Sequence, residues 1–230
     1  MSLRTIWNDF IDLAFPRCCE ACDKSLIGNE EVICTGCRIS LPRITADGIY
    51  KDIMQFKFVN APEVFSTSSF LLFTKKGKVQ KLLHALKYKG NEEVGTLLGF
   101  MFGQEMAAAG HLPDADLIIS VPLHKKKKQL RGYNQSDLLA AGFSKATGIP
   151  WTGTTLERIR HTATQTGKTK AERRENVKGV FLVKESISAK NIIIMDDVLT
   201  TGATLEECAE TLKAAGCRKF YIMTIALAHH

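Results

Sequence analysis

The sequence predicts an α/β protein: a mostly parallel sheet flanked by helices, with a small zinc-binding module at its N-terminus. From about residue 64, apolar strand-like segments alternate with helical ones, which is typical of a parallel sheet covered on both faces. Before that point, five of the seven cysteines lie between Cys18 and Cys37. We therefore divide the chain into a module over residues 1–45 and an α/β domain over residues 46–230.

Composition limits the class of protein further. The chain has 230 residues and 45% hydrophobic content, enough for a packed core, which excludes disorder over most of it. Its net charge of +7 suits phosphate-bearing partners, without choosing among nucleic acids, nucleotides and sugar phosphates. Apolar runs stay below the roughly 18 residues of a membrane span, and Arg4, Asp9 and Asp12 interrupt any signal-peptide pattern. We expect a cytoplasmic protein.

The N-terminal module begins with an amphipathic helix and continues into two cysteine pairs. The helix is predicted by apolar residues at helical spacing, namely Leu3, Ile6, Trp7, Phe10, Ile11 and Ala14. A membrane-surface helix is an alternative, but Asp9 and Asp12 on its polar face favour packing against the protein instead.

Cys19-x2-Cys22 and Cys34-x2-Cys37 stand 11 residues apart and suit tetrahedral zinc. Such a short segment has little core of its own, so metal binding would supply its folding energy. Four thiolates leave no position for water, so the role is structural. Cys18 with Cys22 is an alternative pairing. Disulfides are less favoured than zinc because nothing indicates secretion, and redox chemistry or an iron–sulfur cluster are the remaining alternatives.

Apolar periodicity and turn residues predict the elements of the α/β domain. The first half contains a long strand or strand pair at 64–73, a helix at 78–88 ended by Gly90, a helix at 92–109, a strand at 117–121, a lysine-rich loop, and a helix capped by Ser136 that ends at Gly148. The second half contains a polar stretch at 158–176, a strand within 177–183, a strand at 191–195, a helix at about 204–215 ended by Gly216, and a strand at 219–226.

The sharpest signal is the run from Ile192 to Thr204. An apolar strand is followed by Asp196 and Asp197, then by a short loop of hydroxyls with one glycine that opens a helix. Backbone amides at such a helix start form an anion cradle. The predicted phosphate contacts are Val198, Leu199, Thr200, Thr201, Gly202, Ala203 and Thr204.

The two acids should face another part of the ligand, because carboxylates repel phosphate. A ribose 5-phosphate fits, with its 2- and 3-hydroxyls on Asp196 and Asp197, which could also hold Mg²⁺. A P-loop ATPase is excluded because GxxxxGK[ST] does not occur. A helix cap with an acidic turn is the structural alternative, and the complete run argues against it.

The run resembles the phosphoribosyl pyrophosphate motif of type I phosphoribosyltransferases. Further segments resemble the ComF/GntX competence-protein family, and with the cysteine pairs they span nearly the whole chain: Leu86-Lys87-Tyr88-Lys89-Gly90, Val121-Pro122-Leu123-His124, Arg131-Gly132-Tyr133-Asn134-Gln135, Arg158-x-Arg160-x-Thr162-x2-Gln165, Arg173-x2-Asn176 and Phe181. Lys168 departs from the family, which usually carries a leucine there.

This resemblance implies a pyrophosphate group at C1 of the ribose, bound by the amides of Leu123 and His124 and by Arg131 and Asn134. Lys125–Lys128 would surround the pyrophosphate with positive charge, although for most of these four lysines a solvated loop is the simpler interpretation. The polar stretch at 158–176 would be a hood that closes on pyrophosphate through Arg160, Lys168, Lys170 and Arg173; a mobile loop that binds nothing is the alternative.

The implied activity is Mg²⁺-dependent displacement of pyrophosphate by an unknown acceptor, with Asp196 and Asp197 binding ribose and metal. A weaker role for either acid is that of a base. The alternative is a non-catalytic ligand sensor or single-stranded-DNA-binding competence factor that acts with a helicase-like partner. His229 and His230 are assigned no role.

Overall fold

The computed structural model describes residues 16–45, 48–160 and 177–228. The strands in this part of the chain are β1 (Val64–Phe73), β2 (Leu117–Ser120), β3 (Trp151–Thr152), β4 (Leu156–Arg158), β5 (Phe181–Val183), β6 (Asn191–Leu199) and β7 (Lys219–Ala228). Five of them form one parallel sheet in the order β1-β7-β6-β2-β3, and β4 pairs with β5 in a separate antiparallel hairpin. The predicted fold class is confirmed.

Helices cover both faces of this sheet. In the described part of the chain they are α1 (Thr35–Ser40), α2 (Ile49–Phe56), α3 (Lys78–Tyr88), α4 (Glu92–Ala108), α5 (Lys125–Arg131), α6 (Gln135–Thr147) and α7 (Ala203–Ala214). Ile193 and Met195 of β6 pack with α3, α4 and α6, whereas Ile192 and Ile194 pack with α7. A strand buried on both faces explains the unbroken apolar run. None of the described helices is long and apolar enough to cross a membrane.

The connections after β2 and β6 run in opposite directions. The chain leaves β2 through α5 and α6 and returns in β3 on one side, whereas it leaves β6 through α7 and returns in β7 on the other. Open parallel sheets form a crevice where two neighbouring strands diverge in this way, at their carboxyl ends. The crevice therefore lies between the ends of β2 and β6.

Glycines bring α4 and α6 into backbone contact beside this crevice. A Cβ atom at Gly99 would lie 2.1 Å from the carbonyl oxygen of Leu139, and one at Gly142 would lie 2.1 Å from that of Thr96. Only glycine permits such an approach. The tight pairing fixes the position of α6, whose first turn faces the acidic end of β6.

The cysteine-rich module shares its core with the α/β domain. Cys19, Ile33 and Cys37 belong to the same buried cluster as residues of α3 and α4. The chain then joins the edge of β1, where Leu72 N donates to Pro42 O at 2.8 Å. The domain boundary at residue 45 stays a prediction, and the predicted N-terminal helix lies outside the described residues.

Four local predictions are wrong, and in one of them, β6, pairing with a neighbouring strand extends the element. The lysine-rich loop is the helix α5, which starts after His124, whose Nδ1 accepts a hydrogen bond from Lys126 N at 3.3 Å. Asn134, not Ser136, precedes the first residue of α6. The strand predicted to end at Met195 continues to Leu199, because β7 pairs with it that far. Within 177–183, only 181–183 is a strand.

Four short elements were not predicted from the sequence. These are α1, α2, β3 and β4, of two to eight residues each. Segments of this length carry too few periods of apolar spacing to stand out.

Candidate functional site

The two acids at the end of β6 lie against polar groups of neighbouring helices. Asp196 Oδ1 accepts hydrogen bonds from Ser136 Oγ of α6 and from Asp197 N, both at 2.9 Å. Asp197 Oδ2 lies 2.8 Å from Lys87 Nζ, at the end of α3. Both carboxylates thus face polar partners at the crevice rather than the apolar core.

Charge couples the acids to each other and to Lys87. Burial, followed by the negative charge of Asp197, raises the pKa of Asp196 to about 7. Burial alone would lower the pKa of Lys87, but the charges of Asp197 and Asp196 outweigh it and raise that pKa. Near neutral pH Asp196 is therefore only partly ionised, while Asp197 holds Lys87 as an internal cation.

The loop after β6 forms the start of α7. Gly202 has a φ of +86°, and a Cβ there would lie 3.1 Å from the Phe58 ring, so glycine suits the position on two grounds. Val198 and Leu199 pair with β7, and this pairing takes up part of the backbone that the sequence hypothesis left free for phosphate. The amides of Ala203 and Thr204 lie in the first turn of α7, where amides have no intrahelical acceptor.

Asn134 ties together the loop after β2 and the start of α6. Its Nδ2 donates to Val121 O at 3.1 Å and to Asp137 Oδ1 at 2.7 Å. Ser120 Oγ donates to the same Asp137 oxygen at 2.6 Å. Asn134 is only 3% exposed, and its Oδ1 has no hydrogen-bond partner among the described residues. This geometry makes Asn134 a support of the loop that carries Leu123 and His124.

Four cations gather at the same crevice. Partial desolvation lowers the pKa of Lys127, and the positive charges of Arg158, Arg131 and Lys87 lower it further. Arg131 is oriented by Gln135, whose Oε1 accepts a hydrogen bond from its guanidinium, and it lies 5.7 Å from the Tyr88 ring centre. A bound anion would stabilise the positive charge that these neighbouring cations place on Lys127.

The remaining predicted contacts are distributed unevenly. Leu123, Asn134 and Arg158 line a cavity of about 220 Å³ beside the crevice. Arg160 is exposed and is the last described residue before position 161. Arg173, Lys168 and Lys170 lie outside the described residues.

Lys87 was given no role from the sequence, Lys127 was named only within the lysine run around the pyrophosphate, and Ser136 was expected only to cap a helix. Lys87 stands in a segment that resembles the ComF/GntX family, and this was the one signal that marked it. Its pairing with Asp197 could not be read from spacing, because 110 positions separate the two residues.

The four predicted zinc ligands converge. The Sγ atoms of Cys19, Cys22, Cys34 and Cys37 all lie within 4.8 Å of one another, and those of Cys22 and Cys34 are 3.8 Å apart. Tetrahedral zinc with bonds of about 2.3 Å requires S–S separations of roughly 3.8 Å. Cys18 is exposed and lies outside this cluster, which argues against its alternative pairing with Cys22. The cluster could hold zinc.

Comparison with known proteins agrees with this geometry. Residues 137–230 match the model of the phosphoribosyl transferase domain. The DNA utilization protein YhgH of Salmonella typhi is 36% identical over 138 residues, 59% of this chain and 61% of that protein. Competence protein F of Haemophilus influenzae is 37% identical over 120 residues, 51% of this chain and 52% of that protein.

Competence protein ComFC of Bacillus subtilis is 26% identical over 216 residues, 86% of each chain. The matches to the more similar relatives thus span about three fifths of their length or less.

The parallel sheet, the crevice with its acids and the matching domain model define a phosphoribosyltransferase-like protein. The named relatives, two of them competence proteins, agree with the resemblance of this sequence to the ComF/GntX competence-protein family.

Proposed function

We propose that this protein binds phosphoribosyl pyrophosphate together with Mg²⁺ in the crevice between β2 and β6. The observation that carries the proposal is the pattern of charge there: two carboxylates lie at the end of β6, one of them paired with Lys87, and three further cations, Lys127, Arg131 and Arg158, lie nearby. A ribose whose diol meets the acids and whose C1 carries a pyrophosphate matches that pattern. The domain match to phosphoribosyl transferases supports the same ligand.

Each part of the ligand has a partner in this arrangement. The ribose hydroxyls bind Asp196 and Asp197, and the 5-phosphate binds the amides at the start of α7 and the hydroxyls of Thr201 and Thr204. The pyrophosphate binds beside Leu123 and His124, where Arg131 and Lys127 supply positive charge. Carboxylate oxygens are suitable ligands for Mg²⁺, which would neutralise part of the pyrophosphate charge.

The proposed reaction is a displacement at C1 of the ribose. The bond from C1 to the pyrophosphate oxygen breaks, the acceptor forms a new bond to C1, and pyrophosphate leaves with the electron pair. Stabilisation of the departing charge by fixed cations is the main contribution expected of the protein. The acceptor is unidentified, and a screen of bases and amines for pyrophosphate release would find it.

A melting experiment tests ligand binding without requiring turnover. Phosphoribosyl pyrophosphate with Mg²⁺ should raise the melting temperature of the unaltered protein, because a ligand that binds only the folded state stabilises it. Combined Asp196→Asn and Asp197→Asn substitutions should abolish this rise, while Asp114→Asn, at an exposed site, should preserve it. An undiminished rise in the double variant would reject the ribose assignment.

We further propose that the cysteine cluster holds structural zinc, with the four thiolates as its ligands. A reducing compartment such as the cytoplasm would keep those thiols free for the metal. Zinc at this place would stabilise the surface on which Asp23 pairs with Lys81 and Glu20 with Lys89.

The second candidate function is the handling of single-stranded DNA with a helicase-like partner. The names of the relatives, which refer to DNA utilization and competence, favour it. So do the exposed lysines of α5, Lys125–Lys128, close to the crevice.

Salt titration distinguishes DNA contacts from other binding. If phosphates of single-stranded DNA bind the basic surface, affinity should fall steeply between low and physiological salt. A flat response would remove phosphate contacts as the cause. Ligand binding and DNA binding without pyrophosphate release, across the acceptor screen, would favour this second function over the enzyme.

A further inference from the structure

The ion pair between Lys87 and Asp197 occupies the position where a divalent cation would bind the acidic pair. The Lys87 ammonium lies 2.8 Å from Asp197 Oδ2, and the two side chains are only 24% and 9% exposed. That oxygen has no other hydrogen-bond partner among the described residues. An ammonium and a metal ion cannot share one oxygen lone pair without strong mutual repulsion. A metal ion at this oxygen would lie beside the ammonium and be repelled by it, so Lys87 opposes metal binding here.

Contacts of the two residues next to Lys87 in the sequence fix its position. Tyr133 donates its hydroxyl hydrogen to Leu86 O, which anchors the last turn of α3 to the segment before α6. Tyr88, the last residue of this helix, lies under the guanidinium of Arg131. The helix end is thus held on both sides, and the half-buried Lys87 has little freedom to leave Asp197 for solvent.

The nearest charges determine what a displaced Lys87 would encounter. Lys127 and Arg131 lie close enough to influence its electrostatic environment, and both are positive. Without an anion, a released ammonium would add a further like charge to this group. With a diphosphate present, it would find phosphate oxygens instead. Release of Lys87 is favourable only when metal and phosphate arrive together.

We propose that Lys87 is an internal counter-ion that excludes a free divalent cation from Asp197 and yields this place only to a metal–diphosphate ligand. The proposal rests on the proposed function for the identity of that ligand, whereas the ion pair stands independently of it. Lys87 is then a positioning residue. It prevents the empty site from binding metal alone, and it makes binding depend on the pyrophosphate end of the ligand.

Manganese binding tests this without measuring activity. The zinc-loaded full chain is titrated with MnCl₂ alone at pH 8, and free Mn²⁺ is followed by its paramagnetic resonance signal. The unaltered protein should bind Mn²⁺ weakly. Lys87→Met should bind it at least about tenfold more tightly, since a neighbouring opposite charge shifts carboxylate equilibria by roughly one to three logarithmic units. Inorganic pyrophosphate added with MnCl₂ should bring Mn²⁺ onto the unaltered protein, measured as metal retained with the protein after gel filtration, because pyrophosphate alone already removes the signal of free Mn²⁺.

Matched variants make the result specific. Lys89→Met removes an exposed lysine two residues away, which pairs with Glu20 at 3.2 Å, and should leave Mn²⁺ binding weak. Asp197→Asn added to Lys87→Met should abolish the gain. If Lys87→Met does not fold, Lys87→Gln serves instead, because its amide can still donate to the acid.

Two outcomes separate this inference from the proposed function. Equal Mn²⁺ affinity in the unaltered protein and the Lys87 variant would overturn the counter-ion role, whatever the ligand is. A gain in the variant, with no binding of phosphoribosyl pyrophosphate by the unaltered protein, would support the counter-ion role and reject the proposed ligand.

Discussion

The stability of the free protein should depend on the charge of Asp196. The raised pKa of Asp196 means that the folded protein holds a proton which the unfolded chain has released, in the range from about pH 4 to about pH 7. The unfolding free energy therefore falls as pH rises through this range. Above pH 7 the folded protein bears the whole cost of ionising Asp196 in its buried place. Asp196→Asn removes the charge and keeps an oxygen to accept from Ser136 Oγ, so it should stabilise the free protein at pH 8.

The structure gives the scale of this effect. A shift from 3.8 to about 7 corresponds to an upper limit of roughly 4 kcal/mol at about 1.4 kcal/mol per unit. Local relaxation around the charged pair reduces this, and we expect a gain of about 1–2 kcal/mol at pH 8. At pH 4, where the unaltered Asp196 is protonated, the gain should nearly vanish.

Urea unfolding at several pH values measures the difference directly. Asp116 is a control of opposite sign, because Lys190 N and Asn191 N donate to its Oδ2 at 2.8 and 2.9 Å and lower its pKa. The contribution of Asp116 to the unfolding free energy is present above pH 4 and is lost as pH falls through the lowered pKa. Asp116→Asn should therefore destabilise the folded protein at pH 8. An Asp196→Asn variant no more stable than the unaltered protein at pH 8 would show that the charge of Asp196 does not destabilise the fold.

Two further predictions concern the module and the helix pair. Purified protein should contain about one zinc per chain and lose it on Cys34→Ser, as measured by elemental analysis; a fully folded protein without zinc would contradict the proposal. Gly99→Ala should cost about 1–3 kcal/mol in chemical unfolding, because its Cβ would lie 2.1 Å from Leu139 O. Gly36→Ala, with open space around it, is the matched control, and equal stabilities would show that the two helices adjust freely.

Much of the fold could be predicted because its strands are strongly apolar. The runs at 117–121, 191–195 and 219–226 each coincide with a strand of the parallel sheet. The ends of strands were predicted less accurately where pairing with an adjacent strand in the sheet determines them. Strand β6 extends beyond its apolar run because β7 continues to pair with it. Asp196 and Asp197 therefore lie within the strand rather than after it.

For the candidate site, local sequence identified the groups that share one segment. Asp196, Asp197 and Gly202 were recognised because a strand, a turn and a helix start follow one another directly. Lys87 and Ser136 were not assigned to the site, because they reach it from other helices. Pairings between distant segments depend on how helices pack, which no local spacing encodes.

By itself, the sequence determined the parallel α/β class, the two cysteine pairs and the acidic strand end, because each is written in consecutive or regularly spaced residues. The tertiary structure alone decided which cation neutralises Asp197 and which hydroxyl group holds Asp196. These contacts exist because glycine-mediated packing of α4 on α6, and the anchoring of α3 by Tyr133, bring separate helices to one crevice.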